Sequence, residues 1–159
     1  MRLPGAILQG ILARASLVLL RVYVGVVFLV RSVQKLQGES LKDWGRIGGT
    51  RLEQAPQIFQ QVFQDVVLPN ADIFRLLLLW GELFLGVFLI VGLLTRLWAV
   101  AGLLLSLGYV LMEPARPWTP ASADALLAVT SLAILIGAAG RTLGVDSWLA
   151  HRWPRSPLW

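Results

Sequence analysis

Few side chains in this sequence are equipped for chemistry, and the one in the least hospitable setting is Glu82. It stands inside an apolar run over residues 73–94, and crossing a bilayer takes roughly 20 such residues. At ~1.5 Å of rise per residue it lies about 13 Å from the start of that run, close to mid-membrane. A carboxylate there must be paired, hydrogen-bonded or protonated, because hydrocarbon offers it no partner. Candidate cations come from the first apolar stretch. There Arg21, Gly25, Phe28, Ser32 and Lys35 fall on a single helical stripe. A carboxylate and a cation at membrane depth can exchange protons or hydrogen bonds with a buried carbonyl group, or they can lock the register of two helices. The sequence predicts that Glu82 points inwards and meets a cation from the first helix, Arg21 in preference, with Arg31 as the competitor. For Arg31 and Lys35, snorkelling to lipid headgroups is an equal alternative.

The elements that must hold these groups are helices in a membrane. Hydrophobic residues make up 57% of the 159 and come in blocks, and the mean hydropathy is +0.71, well above soluble composition. The net charge of +5 would suit nucleic acid in a soluble protein. Here the basic residues flank apolar spans, so the counter-charge expected is anionic lipid, and nucleic-acid binding is not expected. There is no cysteine and a single histidine, His151. That excludes disulfides and cysteine-ligated iron–sulfur clusters within this chain, and argues against haem or a protein-caged metal. Redox chemistry would need a bound organic cofactor or a partner subunit.

The fold expected is an all-α integral membrane protein, an antiparallel four-transmembrane-helix bundle in a single domain over residues 1–159. The spans fall at about 15–36, 73–94, 97–112 and 120–139. Residues 1–14 read as an amphipathic lead-in, with Ile7, Leu8, Ile11 and Leu12 on one face, rather than as a cleaved signal peptide. In 57–67, apolar residues recur with helical period opposite Gln57, Gln60, Gln61, Gln64 and Asp65, which predicts an amphipathic helix lying at the interface, or re-entering over the bundle, and ending at Pro69. Thr119 with Pro120 reads as an N-cap and first helical residue after a rigid turn over 113–120. Asp124, in the first turn of the fourth span, favours the helix dipole. The tail, with Trp148, Leu149, Trp153 and Trp159, predicts a second interfacial helix at about 145–153. Four spans put both termini on one side. Basic charge is nearly balanced across the membrane, and the arginines at the termini tip the orientation towards a cytoplasmic N- and C-terminus.

Several stretches, taken in order, resemble the DoxX/DoxD family of small membrane proteins. They are Leu20-Arg21…Gly25…Phe28…Gln34-Lys35-Leu36, then Val67-Leu68-Pro69-Asn70-Ala71, then Gly81-Glu82-Leu83…Gly86…Leu89…Gly92-Leu93-Leu94-Thr95-Arg96, and finally Gly140-Arg141-Thr142-Leu143-Gly144-Val145-Asp146. The long polar segment and the last motif are closer to the DoxD branch, the small subunit of thiosulfate:quinone oxidoreductase. The resemblance implies a plasma-membrane four-helix bundle, associated with another subunit or with copies of itself and linked to the quinone pool.

Three functions remain open. As a quinone-linked oxidoreductase subunit, the protein would offer Glu82, Arg21 and Lys35 to the quinone carbonyls, with Phe28, Trp80 and Phe84 packing the ring. As a non-catalytic scaffolding subunit, it would use Arg21–Glu82 as a buried pair fixing helix register. A small-solute transporter is the weakest reading, since no inverted repeat or broken helix is visible.

Overall fold

A computed structural model of the chain describes residues 4–37, 55–112, 123–137, 139–141 and 144–153, and all their regular structure is helical. In chain order the helices are α1 (Pro4–Leu36), α2 (Gln57–Val62), α3 (Ala71–Val91), α4 (Thr95–Met112), α5 (Ala123–Ile136) and α6 (Val145–Arg152). A π turn, Phe63–Val67, extends α2, and a 3-10 turn, Ala139–Arg141, precedes α6. The lead-in and first span are therefore one continuous helix. The apolar face expected around Ile7, Leu8 and Ile11, the 113–120 turn with its Thr119-Pro120 cap, and Trp159 lie outside what is described.

Two of these helices are long and apolar enough to cross a membrane, over Leu12–Leu36 and Ala71–Val91; Thr95–Leu111 and Ala123–Ile136 are shorter apolar helices. α1 packs along α3 and α5, and α4 packs along α5 and α3. The tightest crossing is α1 on α3. A Cβ on Gly25 would lie 2.9 Å from the Gly86 carbonyl oxygen, and one on Gly86 would lie 2.8 Å from that of Gly25. Each glycine thus admits the other helix's backbone, as the small residue on the α1 stripe suggested. The whole stripe faces inwards: Arg21, Phe28 and Ser32 are buried, and Lys35 is half-buried.

The distribution of polarity is the reverse of a soluble protein's. Among the buried side chains are Arg21, Ser32, Glu82, Thr95, Ser106, Ser131 and Asp146. On α3 the exposed face reads Ile73, Leu77, Trp80, Phe84, Val87 and Val91, a helical stripe turned outwards. Large apolar side chains outside and hydroxyls and charges between helices are the arrangement hydrocarbon surroundings favour. A modest apolar core, with Val24, Phe28, Leu85, Leu89, Leu127 and Ile134, occupies the middle. It separates two polar clusters at opposite ends of the helices.

Candidate functional site

The first cluster gathers where α1 and α4 end and α5 begins. Lys35 is in the last turn of α1. Its Nζ lies 2.6 Å from Glu82 Oε2 and donates to the Tyr109 hydroxyl at 2.8 Å. Tyr109 in turn donates to Glu82 Oε1 at 2.5 Å. Carboxylate, phenol and ammonium therefore form a closed triangle, with Glu82 fully buried at one corner. Arg31, off the α1 stripe, turns to α5 and pairs with Asp124 at 2.5 Å. Both cations also flank the Tyr109 ring, with Lys35 Nζ 5.2 Å and Arg31 Cζ 5.9 Å from its centroid. Two cations and two carboxylates leave the cluster formally neutral, which is how four charges can be kept this far out of water.

Two clefts meet at this cluster. The polar one, of about 190 Å³, is lined by Arg31, Gln34, Lys35, Glu82, Tyr109 and Asp124. Gln34 is exposed, whereas the side chains of Arg31, Asp124 and Lys35 retain 25%, 17% and 15% of their surface, so the cleft opens at the helix ends beside Gln34. The second, of about 450 Å³, is apolar. Phe59 and Phe63 from α2 and its π turn, Phe74 and Leu78 from α3, and Leu104 and Gly108 from α4 form its walls. Tyr109 belongs to both clefts.

At the other end of the helices Arg21 lies against the turn after α3. Gly92 ends that helix with φ 74°, and a Cβ there would stand 2.5 Å from Arg21 Nη1. Glycine both adopts the left-handed turn and clears the guanidinium. Arg21 donates to the Ala139 carbonyl at 3.2 Å. Asp146 at the start of α6 is fully buried and accepts the backbone N–H groups of Leu94 and Thr95, each at 2.7 Å. It thereby caps the first turn of α4 from 51 residues away. Its own N–H donates to Gly92 O at 2.9 Å.

This geometry corrects the expected Arg21–Glu82 pair. Arg21 and Glu82 stand four residues from Gly25 and Gly86 respectively, on opposite sides of the crossing. In antiparallel helices that separates them by about 12 Å along the axis. Lys35, on the near side, takes Glu82 instead. Neither Arg31 nor Lys35 snorkels away from the bundle. Asp124 is an ion-pair partner as well as a first-turn acid. Phe28 is a core residue behind the cluster. Trp80 is half-exposed on the outer face, stacked on Phe84 at 5.9 Å between centroids. Of the candidate residues, the structure unites Glu82 and Lys35. It adds Tyr109, Asp124 and the aromatic wall Phe59, Phe63 and Phe74. The signal for Tyr109 was a lone phenol near the end of an otherwise apolar limb.

The family model described as DoxX matches residues 16–114. The chain belongs to the DoxX family. The matched segment holds α1 from residue 16 onwards and all of α2, α3 and α4, and with them Lys35, Glu82, Tyr109 and the aromatic cleft wall. As a DoxX-family membrane protein it contacts lipid, which accounts for the outward apolar stripes. Asp124 and the Asp146 cap lie beyond the match. No curated protein and no solved structure matches the chain.

Proposed function

We propose that this DoxX-family protein is a membrane subunit of a quinone-linked oxidoreductase, with the quinone ring seated in the apolar cleft against Tyr109. The carrying observation is the meeting of that aromatic-walled cleft with a buried phenol–carboxylate–ammonium triangle. A cleft of this size lies within the range that holds small organic ligands, and its single polar corner suits a flat ring with one carbonyl inward and an apolar tail in lipid. A bound quinone supplies two-electron, two-proton chemistry. The protein's residues orient it: Phe59, Phe63 and Phe74 pack the ring, Tyr109 hydrogen-bonds it, and Glu82 and Lys35 hold the phenol.

On this reading the two long apolar helices α1 and α3 and the two shorter ones α4 and α5 all cross the plasma membrane, both termini are cytoplasmic, and α2 and α6 lie at its surfaces. The half-exposed Trp148 and Trp153 on and after α6 suit an interface. Electrons come from a partner subunit. The neutral charge cluster also favours a scaffolding reading, in which Glu82 and Lys35 only fix register. Purification in mild detergent, followed by extraction of quinone and identification of co-purifying subunits, tests the first reading. Glu82→Gln separates the two. A quinone role predicts normal assembly with depressed quinone reduction, and a scaffold role predicts poor assembly with unchanged turnover per intact complex. Normal turnover in normally assembled complex would remove Glu82 from the site.

A further inference from the structure

The geometry points to Tyr109 as a proton-transferring wall: a ligand oxygen in the apolar cleft exchanges protons with water through Tyr109 and Lys35, by way of the polar cleft at one end of the bundle. This rests on the quinone reading of the apolar cleft and adds to it a route and a side of the membrane.

The apolar cleft sets what surrounds such a ligand. Its walls from α2 and α3 are Phe59, Phe63, Val67, Phe74 and Leu78, none of which carries an exchangeable proton. Among the described lining residues the side chain that does is Tyr109, which also lines the polar cleft. A proton reaching the ligand from water by this wall must pass a phenol.

Among the described residues, the titratable groups facing Tyr109 are Lys35 and Arg31 from α1, Glu82 from α3 and Asp124 from α5. They are arranged for transfer. At rest the phenol points its hydrogen at Glu82 Oε1 and accepts from Lys35 Nζ. When Tyr109 turns its hydrogen to a ligand oxygen, the 2.6 Å contact with Lys35 keeps Glu82 paired. The Tyr109 O–H bond then breaks as an O–H bond forms on the ligand. As it does, Lys35, 2.8 Å away, passes a proton to the phenol oxygen, and water in the polar cleft reprotonates the Lys35 amine. The net change is one proton moved from water to ligand, with Tyr109, Lys35 and Glu82 restored. Arg31 and Asp124 stay paired with each other throughout. They hold the charge balance of the cluster while the protons move.

The test uses the full-length protein in nanodiscs and an alkyl 2-hydroxy-1,4-naphthoquinone, a quinone whose own enol protonation is visible by absorbance. Two readouts are separate: the equilibrium affinity of the probe, and its protonation rate after a stopped-flow drop in pH. The chain has no cysteine, so Gln34→Cys places a unique thiol at the mouth of the polar cleft, where a sulfonated maleimide can block it. Unlabelled Gln34→Cys sets the reference rate of protonation for its own bound probe. Labelling should slow that rate at least tenfold and leave affinity within twofold. Tyr109→Phe should slow it at least tenfold as well, and a Lys35→Met variant should do the same. If the probe binds and both the label and Tyr109→Phe leave the rate unchanged, the relay is overturned and the quinone site stands. If the probe does not bind the wild type, the quinone reading falls and the relay with it.

Discussion

The two ends of the helical bundle use buried charge in opposite ways. At the Arg21–Asp146 end, charged side chains are bound to backbone: Asp146 takes two N–H groups of the turn before α4, and Arg21 takes the Ala139 carbonyl. The glycines there leave no room to spare, since a Cβ on Gly144 would meet Arg21 Nη1 at 3.0 Å. At the Lys35–Glu82 end, side chains are bound to side chains, and two clefts open on them. Backbone partners cannot move without undoing a helix turn. Side-chain partners can rotate, release and take a ligand. The first end closes the turns around α4, and the second is where chemistry has room.

Substitutions can break or sharpen this contrast. The largest effect is expected from Asp146→Ala. It strips a charged acceptor from two backbone N–H groups, each such bond being worth about 1.5–3 kcal/mol. Thermal melting of the detergent-solubilised protein should shift down steeply, while ligand affinity per folded molecule stays at the wild-type value. A fall in affinity with unchanged melting would erase the distinction between the ends.

Next in size is Gly86→Ala, which pushes a methyl to within 2.8 Å of the Gly25 carbonyl oxygen. Overpacking of this kind costs about 1–3 kcal/mol, and yield and melting temperature report it. Because Gly86 lies between the two ends, some loss of the Lys35–Glu82 contact should accompany it. Lys35→Met is expected to act differently. It leaves Glu82 with Tyr109 as its remaining direct partner among the described residues, and under the proposed function quinone reduction by the assembled complex should fall at least tenfold at normal subunit stoichiometry.

The smallest effect on stability is expected from Gly108→Leu. A Cβ on Gly108 meets nothing within 4 Å, and glycine in a helix interior is roughly 0.5–1 kcal/mol less favourable than alanine. Melting should therefore hold or rise slightly.

How far the sequence carried these conclusions depended on the range of each interaction. The α1 stripe was legible because periodicity along one helix decides which side chains share a face, and Arg21, Phe28, Ser32 and Lys35 all turned inwards. The partner of Glu82 was not, because depth counted from span ends carries no register between helices. The Gly25–Gly86 crossing sets that register, and it moves Glu82 away from Arg21 and towards Lys35. Asp146 was visible as part of a motif, but its role as a cap on α4 joins residues 51 apart and leaves no local pattern. Trp80 and Phe84 looked like ring-packing residues because they neighbour Glu82 in sequence. Helical geometry turns them outwards, and the aromatic wall comes from α2, whose amphipathic period was legible although the cleft beneath it was not.

The central claim is that the Lys35–Glu82 end, and not the Arg21–Asp146 end, holds a ligand site. Its most direct test is the affinity of a short-chain quinone, read by tryptophan fluorescence in nanodiscs, for wild type and Gly108→Leu. The leucine fills the apolar cleft and leaves Lys35, Glu82 and the far end unchanged. The account predicts saturable binding to the wild type and at least a tenfold loss in Gly108→Leu, with melting temperature held or raised. Equal affinity in the two proteins would contradict it.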